Sequence, residues 1–574
     1  MGQEKQGGVR LWDSVPGFDF DKDIDLPEMN SWFFDGTHSV PLLTPMYSWF
    51  WIRHCGYGSQ YACETLSMPR YKGFPLRDVE GSDYIAMRIV RDEAEVAKRT
   101  AKFKEALIPW IEDFDGIWAK QREELLAMYD KLKAVDLDKA SNIDLIHHLW
   151  DMISTSRRMW EIHFLGMNVS YAAFLLLEDL VKPYGLTSES PEFQDMFRGF
   201  DNQVFQVDKK LWGLAKDAVS MGLGDIIMNT PVDQAMAKIE QHKSGREWLK
   251  KLHAFLEVDG WRMVRMMDFN EPYWLEDPSV VISPIKAFIK KGGDYDLDET
   301  RKKLAQGREK AIADLLAKVP KDERPWFEAL IKLAGKTGSY SEEHDLFCEL
   351  HCHAVQRRGF LGIGRRLAAA GTIDKTDDIF FLNPDEVERV LGGPEFHKMQ
   401  YIANRRRERW EYLNKNWVEV KDKTHPPVFT TRASLEQAVG MDLLPSADAI
   451  IIKIVVGELP RVRPELKADL YGVCGAPGVA EGPARVIMTY SELDQIQKGE
   501  ILVCPGTNPA WTPVFGLVKA VVSDRGGTLS HTAIVGREYG LPTLVNTFTG
   551  TSTIKTGQMI RVDATEGALY ILKK

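Results

Sequence analysis

From about residue 85 to residue 420 the apolar positions recur at helical spacing. Ser141-Asn-Ile-Asp144 has the form of a capping box, and Ile146, Leu149, Trp150 and Ile153 follow it at helical intervals. The stretch 160–181 is apolar on more than one side, which predicts a helix buried in a bundle. Leu346, Phe347, Leu350, Leu361 and Leu367 mark a second long helical region, while Lys182-Pro-Tyr-Gly185 and Lys291-Gly-Gly293 supply breaks. The first 80 residues are loop-rich instead, with Trp32, Phe33, Phe34, Tyr47, Trp49, Phe50 and Trp51 crowded together. Beyond Thr424-His-Pro-Pro-Val428 the helical pattern stops, and Leu459-Pro-Arg-Val-Arg-Pro464 reads as linker. After Tyr471 come short apolar β-type runs separated by glycine, at 501–504, 520–523, 543–546, 559–563 and 568–572. The expected architecture is multidomain: a mostly α-helical domain over 1–440, a linker over 441–470, and a small α/β domain over 471–574.

Length and charge narrow this picture. A chain of 574 residues has room for three or four domains, and a net charge of −10 with no basic block argues against nucleic acid as a partner. No run of about 18 apolar residues and no apolar signal core at MGQEKQGGVR predict a soluble, cytoplasmic protein without a membrane span. Six scattered cysteines do not make a disulfide framework in a chain of this size. Tryptophan is skewed: of 16, only Trp511 lies beyond residue 420.

The last hundred residues hold a single histidine. In Asp524-Arg-Gly-Gly-Thr-Leu-Ser-His531 a strand ends, two glycines let the backbone turn, and a helix starts at His531, with Ser530 as its expected N-cap and Gly540 and Pro542 as its stop. Helix N-terminal N–H groups are unpaired and carry partial positive charge, so an anion held there is stabilised and a neutral imidazole favoured. A neutral imidazole is a nucleophile, and a phosphoryl group on it would meet those N–H groups, Thr528, Ser530, Gly527 and Arg525. By spacing alone His531 could equally be a residue that only starts a helix.

Residues 471–574 resemble the phosphohistidine, or swivelling, domain of the phosphoenolpyruvate-utilising enzyme family, which includes phosphoenolpyruvate synthase, pyruvate phosphate dikinase and rifampin phosphotransferase. Ala476-Pro-Gly-Val-Ala-Glu-Gly-Pro-Ala-Arg485, Thr507-Asn-Pro-Ala-Trp-Thr-Pro-Val-Phe515, Val521-Val-Ser-Asp-Arg-Gly-Gly-Thr-Leu-Ser-His531 and Val562-Asp-Ala-Thr-Glu-Gly567 carry the likeness in order. Asn508 stands where many relatives have aspartate. The resemblance implies that His531 is phosphorylated and carries the group between two separate sites. Phe255-Leu-Glu-Val-Asp-Gly-Trp-Arg-Met-Val-Arg265, Pro272-Tyr-Trp-Leu-Glu-Asp-Pro278, the segment 365–382 and Phe33-Phe-Asp-Gly-Thr-His38 resemble the acceptor-binding domain of rifampin phosphotransferase-type proteins, with Trp261 where relatives often have histidine.

No ATP-grasp domain is legible before the carrier. The architecture is similar to the histidine-bearing subunit of phenylphosphate synthase, and implies a phosphotransferase subunit. A separate ATP-grasp subunit with Mg²⁺ and ATP would then phosphorylate His531, with no cofactor bound by this chain alone. The acceptor would be a hydroxyl on a small organic, phenolic molecule, with AMP and phosphate released. Arg53, Arg262 and Arg265 are candidates to neutralise the arriving phosphate, His38 and Asp35 to take the hydroxyl proton, and Trp32, Trp49 and Trp51 to line an aromatic pocket. Core packing accounts for such tryptophans equally well. His344, Cys348, His351 and Cys352 fall at i, i+4, i+7 and i+8 but read as a plain buried helix face, with no metal expected. Two other readings remain open here: a non-catalytic histidine phosphocarrier, and a component that couples phosphorylation to dehydration or carboxylation.

Overall fold

The computed structural model describes residues 33–36, 38–188, 190–201, 203–292, 297–416, 450 and 460–573. Trp32 and most of the expected linker lie outside the described residues. The chain forms two compact units, one from Met1–Val169, Met267–Asn270 and Val355–Ala449, the other from Ser170–Met266, Glu271–Ala354 and Ile450–Lys574.

In the first unit a small antiparallel sheet runs β1 (Phe33–Phe34), β3 (Ser82–Ile85), β2 (Leu76–Val79). Helix Pro45–Phe50 passes through a π-helical turn, Trp51–Cys55, into helix Gly56–Thr65. Helix Glu93–Lys133 contains Pro109, and the backbone breaks at Asp113 (φ −146°, ψ 62°), four residues on. Proline removes one ladder N–H and crowds the preceding turn, so a break nearby is expected. The capping box is present: Ser141 N–H donates to Asp144 Oδ2 (2.9 Å) and Asp144 N–H to Ser141 Oγ (3.2 Å). It starts helix Asn142–Val181. By length and composition this stretch could cross a membrane, but 78% of its apolar window is buried inside the protein, as in a core helix.

The second unit joins a helical region to the α/β domain. Helices Gln203–Ser220, Gly245–Asp259 and Ile282–Lys291 pack around Leu211, Trp248, Leu252, Leu256 and Ile285, all fully buried. Trp248 Nε1 donates to Leu214 O (3.0 Å), so the indole is buried without an orphaned donor. The α/β domain has an eight-stranded sheet. Its strands are β4 (Leu470–Tyr471), β5 (Val473–Ala476), β6 (Val479–Val486), β7 (Ile501–Cys504), β8 (Ala520–Ser523), β9 (Thr543–Val545), β10 (Met559–Asp563) and β11 (Ala568–Lys573). They lie in the order 4-11-10-6-7-8-9-5. Strands β6 to β9 are parallel, and the outer pairs are antiparallel. Parallel strands are covered on both faces, which is why 501–504 and 520–523 read as unbroken apolar runs. All six cysteines are buried and none forms a disulfide among the described residues.

Candidate functional site

The sheet brings two loops together. Cys504 pairs with Ser523 at the ends of β7 and β8, so the loops that follow, 505–508 and 524–530, leave the sheet side by side. Ligand sites in parallel sheets occupy this edge. The second loop turns at Gly526, whose φ is +101°; a Cβ there would stand 2.6 Å from Ser530 Oγ. Only glycine fits that backbone and that approach. Asp524 anchors the loop, accepting from Thr551 N–H (2.9 Å), while Arg525 N–H donates to Pro505 O (3.2 Å). Helix His531–Tyr539 then begins, and ends at Gly540 in the left-handed region.

Ser530 occupies the N-cap position but does not cap. Its Oγ donates backwards to Gly527 O (2.8 Å) and makes no capping bond to the helix start. The reason is the tight Gly526 turn, which brings the Gly527 carbonyl under the hydroxyl. Thr528 and Ser530 are buried and Arg525 half-buried beside this start.

The imidazole is held at one nitrogen. His531 Nδ1 lies 2.9 Å from Thr507 Oγ1, which lies 2.9 Å from Thr532 Oγ1. With Nδ1–H donating to Thr507 and Thr507 donating to Thr532, the lone pair is on Nε2. Asn508 Oδ1 accepts from Ala510 N–H (2.9 Å), capping the turn Pro509–Trp511 as an aspartate would. Nε2 makes no hydrogen bond. The carboxylate within ion-pair reach of it is Glu342 Oε2, at 3.4 Å without hydrogen-bond geometry, and both Glu342 oxygens are buried without a hydrogen-bond partner.

Glu342 lies on helix Lys336–His344, against which the His531 helix packs. Tyr539 OH donates to Asp208 Oδ2 (3.0 Å), and the N–H groups of Gly199 and Phe200 donate to Glu538 Oε2 (2.8 and 3.2 Å). Burial pushes the carboxyl groups of Asp208 and Glu538 up to about 7. Gly338 permits the close approach, since a Cβ there would stand 3.1 Å from Glu538 Oε1. Burial also draws the ammonium of Lys291, packed over Gly516, down to about 6.

Of the arginines expected at an acceptor site, Arg262 is 1% exposed, stacked 4.8 Å over Trp274, with Nε and Nη2 lacking hydrogen-bond partners. Asp208, Asp259 and Glu342 act on it through space. Arg265 is half-buried in the same unit. Trp261 lies flat between Tyr273 (5.4 Å, 11°) and His351 (6.1 Å, 16°). The helix expected to present His344, Cys348, His351 and Cys352 on one face contains a π-helical stretch, Asp345–Leu350. Its wider turns change the register on which the i, i+4, i+7, i+8 spacing depends. His344 Nδ1 instead donates to Tyr340 O (2.8 Å), and burial with neighbouring Glu349 and Glu342 holds the Asp345 carboxyl well above its ordinary range.

The remaining expected residues belong to the first unit. His38 Nδ1 lies 2.5 Å from Asp35 Oδ2, and Asp35 is fully buried. Trp51 stacks 5.1 Å from His38 and donates from Nε1 to buried Asp83 (2.5 Å). Arg53 lies 4.5 Å over the ring of Trp49, whose Nε1 donates to Asp385 Oδ2 (3.1 Å). Sequence reasoning passed over Thr507, Asp208, Lys291 and Glu342. Thr507 heads a motif already singled out; the other three are charges among charged neighbours in helical stretches and give no local signal.

Residues 161–342 match the family described as rifampicin phosphotransferase fourth domain, and residues 496–567 match the PEP-utilising enzyme mobile domain. An uncharacterized phosphotransferase, YvkC, of Bacillus subtilis is 29% identical over 421 residues, covering 72% of this chain and 47% of that protein. Rifampicin phosphotransferase of Bacillus cereus is 26% identical over 347 residues, 59% of this chain and 36% of its own length. Phosphoenolpyruvate synthase of Aquifex aeolicus is 32% identical over 212 residues, 37% of this chain and 24% of that protein. The chain thus spans less than half the length of each. One chain combines a stretch similar to the rifampicin phosphotransferase fourth domain with a stretch similar to the PEP-utilising enzyme mobile domain.

Proposed function

We propose that the chain is a phosphotransferase component that carries the β-phosphoryl group of ATP on Nε2 of His531. An ATP-grasp protein on a separate chain, with Mg²⁺, charges the histidine. A hydroxyl of a small phenolic molecule then receives the group, and AMP and phosphate are the other products. The observation that carries this reading is the division of labour on the imidazole: Nδ1 is fixed by Thr507 while Nε2 is without a hydrogen bond beside an uncapped helix start. Splitting the transfer in two keeps the nucleotide site and the acceptor site apart and holds the phosphoryl covalently between them. Helix N–H groups, with Thr528, Ser530, Gly527 and Arg525 around them, stabilise the charge that phosphorylation adds. Arg262 and Arg265 stand in the same unit as His531 as candidates to receive the phosphate. His38, Asp35, Trp49, Trp51 and Arg53 form an aromatic, hydrogen-bonded setting in the other unit and are proposed to contribute to acceptor binding.

The test is incubation of the chain with an ATP-grasp protein and ATP labelled at the β position. An acid-labile label on the chain, lost in His531→Ala, is expected; equal labelling of His531→Ala overturns the assignment.

A further inference from the structure

The nucleophilic nitrogen faces a carboxylate that has nothing else to do. Glu342 is 2% exposed, both its oxygens lack hydrogen-bond partners, and Oε2 is 3.4 Å from His531 Nε2. A buried carboxylate without hydrogen-bond partners is costly, so its presence there needs a reason. Capping and a hydrogen-bonded network are not that reason, because neither Glu342 oxygen accepts a hydrogen bond among the described residues. Arg262, in the same unit, is likewise buried, 1% exposed with two guanidinium nitrogens lacking hydrogen-bond partners.

We infer that Glu342 is the general base of the second half-reaction, taking the proton from the phenolic hydroxyl as that oxygen attacks phosphohistidine 531. This rests on the carrier reading proposed above. Phosphoryl transfer runs with attacking and leaving atoms roughly in line, so the attacking oxygen lies on the far side of phosphorus from Nε2. A gap of 3.4 Å holds the free imidazole but no phosphoryl group, so the contact seen is that of the discharged carrier. When the charged carrier meets this wall, the phosphoryl group and the acceptor oxygen lie between Nε2 and the carboxylate. As the Nε2–P bond breaks its electron pair returns to the imidazole, the new P–O bond forms, and the hydroxyl proton passes to Glu342. Arg262 offsets the negative charge that phosphoryl and carboxylate bring together.

The experiment is acceptor-selective. The full chain and Glu342→Gln are brought to the same degree of phosphorylation on His531 with phosphoramidate. Discharge is then followed on adding either phenol or 4-nitrophenol, which is largely ionised near neutral pH and needs no base. Glu342→Gln is expected to slow phosphate transfer to phenol roughly 100-fold or more relative to wild type, with little loss toward 4-nitrophenol, and Glu342→Asp to recover part of the phenol rate. Unchanged phenol transfer in Glu342→Gln, or equal loss with both acceptors, overturns the base role and leaves the carrier reading standing. A wild type that is charged but discharges to neither phenol overturns the base role and the phenolic acceptor together. Failure to charge His531 removes the carrier reading itself.

Discussion

His38 and His531 each stand beside a buried carboxylate, one pair in each unit, and the pairs differ in what holds the ring. His38 is bonded through Nδ1 to Asp35 three residues earlier, at 2.5 Å, within a single turn of chain. His531 is bonded through Nδ1 to a threonine 24 residues away, and its Nε2 stands 3.4 Å from a carboxylate it does not bond. The first contact is local and can orient a ring. The second holds one nitrogen from a distant loop and leaves Nε2 without a hydrogen bond, the arrangement required of a nucleophile. The motif around His531 already sets it apart in the sequence; what holds its ring is set by the fold, where the pairing of β7 with β8 places Thr507 against the start of the His531 helix.

Replacing the two histidines breaks the comparison most sharply. His531→Ala should lose all acid-labile phosphate, whereas His38→Ala should still accept phosphate on His531. The second largest effect lies where the carrier helix meets the helical wall. Burial lifts Asp208 from its ordinary 3.8 to about 7, so the fold prefers the protonated form. The stability this contributes is present at acid pH and is lost as the pH rises through about 7. Asp208→Asn should therefore gain on wild type, on the order of 2–4 kcal/mol between pH 4 and pH 8, in denaturant unfolding followed at several pH values. A constant difference across that range would show that Asp208 stays ionised against Tyr539.

A smaller effect comes from the threonine. Thr507→Val removes the partner of Nδ1, frees the ring to take the wrong tautomer, and should slow charging of His531 roughly 10- to 100-fold without abolishing it. The smallest is local stability around the His38–Asp35 pair. His38→Ala leaves the Asp35 carboxylate buried with one partner fewer, and should cost roughly 1–3 kcal/mol in unfolding of the first unit. No loss in His38→Ala would show that Asp35 does not depend on this ring.

Much of the α/β domain was legible in the sequence. Five expected strands appear within a residue or two of their predicted ends, because buried strands, the parallel β7 to β9 above all, read as short apolar runs between glycines. The helix start at His531, its stop at Gly540, and the Ser141 box were equally local features. The side chain of Ser530 was not, because its choice between the helix N–H groups and the Gly527 carbonyl depends on the Gly526 turn. The π-helical stretch at Asp345–Leu350 has no periodic signature, so the sequence reads there as a regular helix, although His344, Cys348, His351 and Cys352 are buried as expected. Glu342, Asp208 and Lys291 lie beside other charges in helical stretches, indistinguishable in sequence from solvated ones. Their burial is decided by packing against residues more than 180 positions away.

The central claim is that the phosphoryl group resides on Nε2 of His531. A ¹H–³¹P correlation spectrum of the full chain, charged by an ATP-grasp protein with ATP, tests it directly. Nε2 is flanked by two carbons that bear protons, whereas Nδ1 is flanked by one, so the two isomers differ in how many ring protons couple to phosphorus. The account predicts one phosphohistidine whose phosphorus couples to both ring protons and which is missing in His531→Ala. Coupling to a single ring proton, or a signal that survives His531→Ala, would contradict it.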